Sequence, residues 1–394
     1  MKKSFLMALV PLVLGIASCG GNQPASSSDA YPALDYKVEY EEKQGGHGLI
    51  TDAIGRKVDI VPGSYSKVVC IGAGALRLYS YVGSLDLLAG VEDIDNPTAA
   101  GRPKMFDNAA RPYFMAGKEI FSTLPSCGVG GPSAQTAEPT KILQCEPDIV
   151  ISEYEDVEKE DALQEQVGVP VIALRMGSGG MVNSSLYGSL AILGKVFGKE
   201  NRAKQLIEYH YESQKTVYER TRNVTNRKKA YICGLGAWGT TNQFYTAQNY
   251  DGFNIAHIDN VVVDLPKDGI QPIEEEKFLS LAGQMDTMFF DAAAVKNIKG
   301  KGFDFSPCKA FTTGEVYLQM PYNAYYTNVE TALINVWFLA KSVYPELFTD
   351  VNIETKADEI TVRFNGKALY AEMKKPAQSY GGYQKIANPT EFFQ

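Results

Sequence analysis

Histidine and tryptophan are scarce in this chain. Its 394 residues include three His and two Trp, against 23 Tyr. The histidines His47, His210 and His257 are far apart in the sequence, whereas a site for a bare divalent cation usually brings several imidazoles and carboxylates together. The sequence therefore argues against a metal site built from protein ligands alone. It predicts that tyrosine rings and hydroxyl groups contact any ligand.

Other features that would mark common protein classes are also missing. The hydrolase signatures Gly-x-Ser-x-Gly and His-Glu-x-x-His do not occur, so we predict no catalytic residue. No internal apolar run approaches the roughly 18 residues that span a bilayer. The formal net charge is −8 and there is no basic stripe, which argues against a nucleic-acid partner.

Cysteine usage excludes two further kinds of structure. Besides Cys19 there is an odd number of cysteines and no Cys-x-x-Cys pair, which argues against a zinc knuckle and a full disulfide framework. A single disulfide between Cys127 and Cys145 stays open. The cysteines after position 19 are Cys70, Cys127, Cys145, Cys233 and Cys308.

The N-terminus has the features of a targeting segment. Lys2 and Lys3 precede an apolar stretch over residues 5–16, and residues 16–19 read Ile-Ala-Ser-Cys. This resembles the lipobox of bacterial lipoproteins, in which the cysteine, here Cys19, becomes the lipidated first residue. The resemblance implies a signal peptide over residues 1–19 and an extracytoplasmic protein held at the cell membrane by lipid, in the periplasm or at the cell surface. Residues 20–48 are expected to form a tether with a flexible start.

A long helix over residues 200–222 is the strongest local prediction. The segment contains neither Gly nor Pro, and Gly198 ends the preceding apolar segment as a C-terminal cap glycine does. At about 1.5 Å per residue the helix is about 33 Å long, enough to act as a rigid strut between two lobes. Residues that recur at three- and four-residue steps, and so predict a packed stripe, are Ala203, Leu206, Ile207, His210, Gln214, Val217 and Thr221.

Strands alternate with helices on both sides of this helix. A β-hairpin that turns at Gly55 is predicted over residues 50–60, and residues 101–124 are expected to be irregular. Further predicted strands are 67–71, 87–91, 147–152, 170–174, 229–233 and 286–290, and further predicted helices are 72–82, 138–144, 329–344 and 352–370. The alternation predicts an α/β fold of two Rossmann-like lobes with mostly parallel sheets, over residues 49–183 and 227–394. The linking helical segment 184–226 would bridge them, with a ligand cleft between the lobes.

A repeated unit supports the two-lobe interpretation. Glu138 begins a short helix and Asp148 opens a strand ten positions later. On the other side of the long helix, Glu276 and Asp286 have the same separation. Each unit places an acid in the first turn of a helix, where the helix dipole favours negative charge.

A glycine motif after the strand 229–233 allows two interpretations. Gly234, Gly236 and Gly239 match the Gly-x-Gly-x-x-Gly pattern of dinucleotide sites, which requires a helix to follow. Residues 240–245 are polar and β-prone instead, so a loop that presents Trp238 and Tyr245 to a cleft is favoured. The alternative is a membrane-anchored, nucleotide-dependent enzyme.

The densest group of aromatic and amide side chains lies at residues 320–328, directly before a helix. It has no periodicity that would predict a core, so we expect an irregular loop that lines a binding site. Several other candidates lie at loop positions after strands, where α/β sheets bind ligands. The predicted ligand-binding residues are Arg77, Tyr113, Tyr154, Arg175, Met176, Trp238, Tyr245, Tyr322, Asn323 and Tyr325.

The lipobox, the 50–60 hairpin before the 67–71 strand, the Glu138 unit and the strut helix together resemble the substrate-binding proteins of ABC importers for iron complexes, haem and cobalamin. The resemblance covers about residues 50–372. It implies two lobes joined by a single connecting helix that move little on binding, as in class III periplasmic binding proteins. It also implies one acid per lobe that docks onto permease arginines, here Glu138 and Glu276, with Glu274 and Glu275 as neighbouring alternatives.

The expected function follows from this resemblance. It implies a receptor without a reaction or a resident cofactor, whose ligand is a metal chelate of the siderophore type, with haem or cobalamin as alternatives. Arg77 and Arg175 would offset negative charge on the chelate. The implied partner is an ABC permease dimer with its ATPase, and the receptor is expected to be a monomer.

Overall fold

The computed structural model describes residues 30–132, 134–177 and 179–394. The predicted signal peptide with its lipidation site Cys19 lies outside the described residues, as do residues 20–29 of the predicted tether. Residues Tyr31–Gln394 form one unit. Within the part of the chain that the structure describes, no helix is long and apolar enough to cross a membrane.

The chain begins with a small antiparallel sheet and continues into a parallel one. The antiparallel strands are β1 (Tyr40–Glu42), β2 (Gly48–Thr51) and β3 (Lys57–Ile60), and the predicted β2–β3 hairpin turns at Gly55, whose φ of 89° favours glycine. The parallel strands are β4 (Val68–Ile71), β5 (Leu88–Glu92), β6 (Ser126–Gly128), β7 (Ile149–Ser152) and β8 (Val171–Ala173). Their order is β6-β5-β4-β7-β8. Strands β4, β7 and β8 are buried throughout, as is typical of a sheet covered on both faces.

The helices of this first lobe include one that the sequence did not predict. They are α1 (Ala75–Val82), α2 (Pro112–Phe121), α3 (Pro139–Gln144) and α4 (Val157–Val167). The prediction that residues 101–124 are irregular is wrong where α2 forms. Pro112 occupies the first helical turn, where its missing N–H has no partner to lose, and the helix buries Met115 and Phe121.

Two helices connect the lobes. They are α5 (Ser184–Val196) and α6 (Glu200–Thr221), and Gly198 between them has a φ of 61°. The predicted strut helix is thus confirmed as α6. All seven residues of its predicted stripe are buried.

The second lobe repeats the parallel arrangement. Its strands are β9 (Lys229–Cys233), β10 (Tyr245–Thr246), β11 (Asp259–Asn260), β12 (Gln271–Pro272), β13 (Thr287–Asp291), β14 (Val316–Gln319) and β15 (Gln384–Lys385). The main sheet has the order β11-β9-β13-β14-β15, and only β15 is antiparallel to its neighbour. Strands β10 and β12 form a separate antiparallel pair. The predicted α/β fold with two mostly parallel sheets is confirmed.

Helices of 4 to 15 residues complete the second lobe. They are α7 (Asp251–Ile255), α8 (Glu275–Ala282), α9 (Val295–Ile298), α10 (Lys309–Thr313), α11 (Val329–Val343), α12 (Ile353–Asn365), α13 (Tyr370–Met373), α14 (Pro376–Ser379) and α15 (Pro389–Phe393). The helical region predicted over residues 352–370 ends earlier, because Gly366 adopts a φ of 73° and caps α12. Single 3-10 turns occur at Gln44–Gly46, Leu85–Leu87, Asp93–Asp95, Ala292–Ala294 and Pro345–Phe348.

Helix α6 makes the two lobes share one core. It packs against α1 and α5 on one side and against α7 and α11 on the other. The Trp337 indole of α11 donates a hydrogen bond to Ser213 Oγ of α6 (2.8 Å), and the Tyr81 ring of α1 lies 5.0 Å from the Phe364 ring of α12. Because these contacts are apolar or fully buried, the relative position of the lobes is set before any ligand arrives.

The repeated unit found in the sequence has the same structural role in both lobes. The carboxylate of Asp148 accepts hydrogen bonds from the backbone N–H groups of Ser66 (2.7 Å) and Lys67 (3.0 Å), just before β4. Asp286 accepts one from the N–H of Lys229, the first residue of β9 (3.0 Å). In each sheet this acid joins the starts of two neighbouring strands.

The cysteines are inert packing residues. All five that the structure describes are free and buried, so the Cys127–Cys145 disulfide does not form. Burial raises the pKa of the Cys70 and Cys127 thiols well above their usual range, which makes them poor nucleophiles.

Candidate ligand-binding site

A cavity of about 440 Å³ lies between the lobes, a volume within the range of small-molecule sites. Three of its walls follow the carboxyl ends of parallel strands: Met176 follows β8, Leu235 follows β9 and Tyr322 follows β14. Ligands of open α/β sheets bind at this edge. The main apolar lining residues are Met176, Leu186, Leu235, Ile270, Val329 and Val336. The main polar ones are Asn183, His210, Gln214, Asn249, Asp251, Tyr322 and Asn323.

Helix α6 supplies a polar but uncharged part of the wall. The Nδ1 atom of His210 lies 2.8 Å from the Tyr187 hydroxyl, and burial lowers the pKa of His210 to about 4. The imidazole is therefore neutral at pH 7. Gln214 is also held in place, since its Oε1 accepts a hydrogen bond from the Tyr31 hydroxyl (3.1 Å).

The loop after β8 reaches across the cavity to α7. The N–H of Gly180 donates to Asp251 Oδ2 at 2.6 Å. Gly179 and Gly180 have φ values of 92° and 103°, and a Cβ on Gly179 would lie 2.6 Å from the same carboxylate oxygen. The positive φ values favour glycine at both positions, and the close approach to Asp251 requires it at Gly179.

The Tyr- and Asn-rich loop at residues 320–328 forms another wall. Tyr325 and Tyr326 adopt the left-handed backbone conformation, with φ values of 52° and 68°, which is unfavourable for such side chains. Two hydrogen bonds with the first lobe hold the loop in this conformation. Arg77 Nη2 donates to the carbonyl of Ala324 (3.0 Å), and the Tyr325 hydroxyl donates to Glu92 Oε2 (2.6 Å). The loop is thereby shaped without a ligand.

Of the ten predicted ligand-binding residues, the structure brings Met176, Tyr322 and Asn323 together around the cavity. Three others are buried outside the cavity, and two of them, Arg77 and Tyr325, contact the opposite lobe. Arg77 Nε donates to Asn328 Oδ1 (3.1 Å), the Tyr113 ring lies 4.6 Å from the Arg77 guanidinium, and Tyr325 binds Glu92. Arg77 Nε and Tyr325 are thus bound to groups on the other lobe, while Tyr113 packs on Arg77 within the first lobe. Arg77 Nη1 is buried without a hydrogen-bond partner among the described residues.

The remaining four lie outside the cavity. The Tyr154 hydroxyl donates to the carbonyl of Ala134 (3.3 Å), and Arg175 Nε lies 2.7 Å from Glu155 Oε2. Trp238 packs against the buried cluster that contains Tyr325. Tyr245 is part of β10 and pairs with Pro272.

The glycine motif at residues 234–239 supports this wall. Residues 234–244 contain no helix. Gly234 N–H donates to the carbonyl of Tyr245 (2.8 Å), and Trp238 N–H donates to that of Asn323 (3.1 Å). A dinucleotide pyrophosphate binds at the N-terminus of a helix that follows the glycine loop, and no such helix follows here. The glycine loop instead holds the 320–328 loop in position.

Sequence reasoning missed several lining residues. His210 and Gln214 were assigned only to the packed face of the strut, and Asn183, Asn249 and Asp251 were not singled out. A usable signal existed at residues 249–252, which read Asn-Tyr-Asp-Gly and share the mixture of aromatic and polar side chains found at 320–328.

Comparison with known proteins gives one match to a family model and several solved structures with the same fold. Residues 112–300 match the family described as periplasmic binding protein. Among curated protein sequences, none matches this chain. A periplasmic solute binding protein from Veillonella parvula is 18% identical and superposes with a TM-score of 0.66, over 88% of this chain and 99% of its own.

Two further solved structures have the same fold. The periplasmic binding protein MolA of Haemophilus influenzae, bound to molybdate, is 18% identical with a TM-score of 0.61, over 81% of this chain and 98% of its own. The Helicobacter pylori protein CeuE, in a complex with Ni-His, is 14% identical with a TM-score of 0.55, over 83% of this chain and 98% of its own. Residues 112–300 of this chain thus match the periplasmic binding protein family, and the chain shares its two-lobed fold with solved periplasmic binding proteins.

Proposed function

We propose that this chain captures a metal chelate of the siderophore type and delivers it to the permease of an ABC importer. The observation that carries the proposal is the cavity of about 440 Å³ between the lobes, lined by Tyr, Asn and Gln side chains. Tyrosine rings stack on the faces of a chelate, and amide groups hydrogen-bond to its oxygen atoms. The metal arrives as part of this cargo, and the receptor has no resident cofactor and catalyses no reaction.

The shape of the cavity suits a preformed complex. Its walls are fixed by α6, by the buried Arg77 contacts to the 320–328 loop and by the Gly180–Asp251 hydrogen bond. A rigid site loses little conformational entropy on binding, so more of the contact energy appears as affinity. This arrangement favours a bulky, stiff ligand.

Location and anchoring complete the proposal. Periplasmic binding proteins work outside the cytoplasm, and the neighbours include a cognate binding protein of an ABC transporter. A lipid on Cys19 would hold the receptor at the membrane as a monomer, with residues 20–48 as its tether.

The acids proposed to dock onto the permease lie near the starts of two helices, one in each lobe. Glu138 occupies the N-cap position of α3 without a side-chain hydrogen bond to the helix. Its Oε1 accepts the Val129 N–H (2.7 Å), and its Oε2 pairs with Lys141 Nζ (2.8 Å). In α8 the cap is Glu274, while Glu275 and Glu276 lie in the first turn, and all three are exposed. The cap position thus favours Glu274 as the counterpart of Glu138, whereas the ten-residue spacing favours Glu276.

A panel of ligands tests capture. A ferric trihydroxamate or tricatecholate chelate should raise the unfolding temperature of the protein. When the free chelate concentration is one hundred times Kd, binding should add about 2.7 kcal/mol to the free energy of unfolding. NAD(P) should give no shift. A shift with haem or cobalamin alone would replace the siderophore-type ligand, and a shift with NAD(P) alone would overturn the receptor.

Delivery is tested by removing the docking charges. The combined variant Glu138→Gln, Glu274→Gln and Glu276→Gln should lower uptake at least about tenfold in cells that depend on this receptor, because each change removes a charge-assisted contact to an arginine. Chelate affinity in vitro should stay the same. Glu165→Gln, an exposed acid elsewhere on the first lobe, is the matched control. Unchanged uptake in the triple variant would point to a scavenger that does not deliver its ligand.

A further inference from the structure

The charge around the cavity has one sign. Asp251 is an acid at the wall, and the described lining residues include neither Lys nor Arg. Both arginines that the sequence suggested as partners for a negative ligand are engaged elsewhere: Arg77 with Asn328 and Ala324, and Arg175 with Glu155. His210 is neutral at pH 7 and adds no positive charge.

The Asp251 carboxylate is half-buried, and no described Lys, Arg or His lies beside it as a counter-ion. It forms no ion pair with any residue that the structure describes, and its hydrogen bond from Gly180 involves Oδ2. No described residue donates a hydrogen bond to Oδ1. Burial raises the pKa of Asp251, as expected for a carboxylate taken out of water without a cation beside it.

A second carboxylate lies behind the tyrosines of the same wall. Asp291 is buried and accepts hydrogen bonds from the Ala293 N–H (2.9 Å) and from Gln319 Nε2 (3.1 Å), both neutral donors. Burial, followed by the charges of Asp291 and Asp251, raises the pKa of Tyr322. Burial raises the pKa of Asp291 to about 7, so Asp291 is ionised only in part at pH 7, and Asp251 supplies the negative charge at the cavity wall. That charge would oppose an anionic ligand.

A structural role for Asp251 alone explains only part of this arrangement. The bond to Gly180 would tie the β8 loop to α7 equally well with an asparagine, whose side-chain oxygen also accepts a hydrogen bond. A half-buried carboxylate without a cation is costly, and a positively charged ligand group would remove that cost.

We propose that Asp251 selects a chelate that carries positive charge, with a protonated amine near Oδ1, and that the cavity rejects chelates with net negative charge. This inference rests on the proposed function, since it names the class of metal chelate that the same cavity binds.

Three ferric chelates test the inference by calorimetric titration. The first is a linear trihydroxamate with a free terminal amine and one net positive charge, the second is the same molecule with that amine acetylated, and the third is a triply negative tricatecholate. The wild-type chain should bind the amine form at least about tenfold more tightly than the acetylated form. The tricatecholate should bind most weakly. This comparison needs no variant, so it decides the charge preference even if a substitution at position 251 impairs folding.

Variants then assign the preference to one residue. Asp251→Asn should abolish the preference, so that the amine form binds no more tightly than the acetylated form, and Asp251→Glu should restore part of the preference. Asp264→Asn removes the same charge from an exposed site outside the cavity and should change neither affinity.

The outcomes separate this inference from the proposed function. Equal binding of the two trihydroxamates, or tightest binding of the tricatecholate, would overturn charge selection and leave the receptor function intact. A preference that survives Asp251→Asn would overturn the role of Asp251. Failure of every chelate to bind would overturn the proposed function and this inference with it.

Discussion

Replacing Ala332 with Trp is expected to lower the affinity for the chelate at least about a hundredfold, which corresponds to about 2.7 kcal/mol. Ala332 belongs to α11 and lines the cavity. Helix α11 is packed against α6, α7 and α12, so its backbone cannot move aside, and the indole must occupy space that the ligand needs. Calorimetric titration with the ferric chelate that binds the wild-type chain measures the loss.

The control is the same substitution at an exposed helix position. Ala371→Trp, on α13, does not touch the cavity and should leave affinity unchanged. Both variants should unfold within a few degrees of the wild-type chain. Full affinity in a folded Ala332→Trp variant would show that the ligand binds somewhere other than this cavity.

Arg111→Met is expected to lower the free energy of unfolding by about 3–5 kcal/mol. Arg111 Nη1 lies 2.6 Å from Asp95 Oδ1, and the exposed fractions of the two side chains are 1% and 2%. Methionine fills much of the volume but leaves the Asp95 carboxylate buried, and among the described residues the Tyr113 hydroxyl (2.7 Å) is then its one side-chain donor. The cost therefore comes from a buried, uncompensated charge, and urea unfolding monitored by circular dichroism measures it.

An exposed ion pair provides the comparison. Arg222 Nη1 lies 2.5 Å from Glu219 Oε2, with exposed fractions of 33% and 38%, and Arg222→Met should cost no more than about 1 kcal/mol. Adding Asp95→Asn to Arg111→Met should recover part of the loss, because no charge then remains buried. If Arg111→Met cost as little as Arg222→Met, the assignment of a buried charge pair would be wrong.

Local patterns were sufficient to predict the frame of the protein. The three- and four-residue spacing from Ala203 to Thr221 predicts a packed helix because helical side chains repeat on one face every 3.6 residues. Apolar runs such as Val68–Ile71 and Ile149–Ser152 predict buried parallel strands, and the Glu138 and Glu276 units predict two similar lobes. The helix α2 escaped prediction because its short amphipathic pattern follows an irregular, Gly- and Pro-containing stretch.

Which side chains line the cavity depends on contacts between residues far apart in the chain. Tyr322 and Tyr325 are three residues apart in a loop without periodicity, yet one lines the cavity and the other binds Glu92 of the first lobe. No local rule separates them, since the direction of Tyr325 depends on a left-handed backbone conformation and on contacts with Arg77 and Glu92, which lie more than 200 residues away in the sequence.

The amino-acid sequence by itself thus determined the two α/β lobes and the helix that joins them, because periodicity and strand composition act over short stretches of chain. The tertiary structure alone decided which polar groups face the ligand and what charge they carry. Asp251 enters the cavity, and Arg77 and Arg175 do not, because burial and pairing are settled only when distant segments pack together.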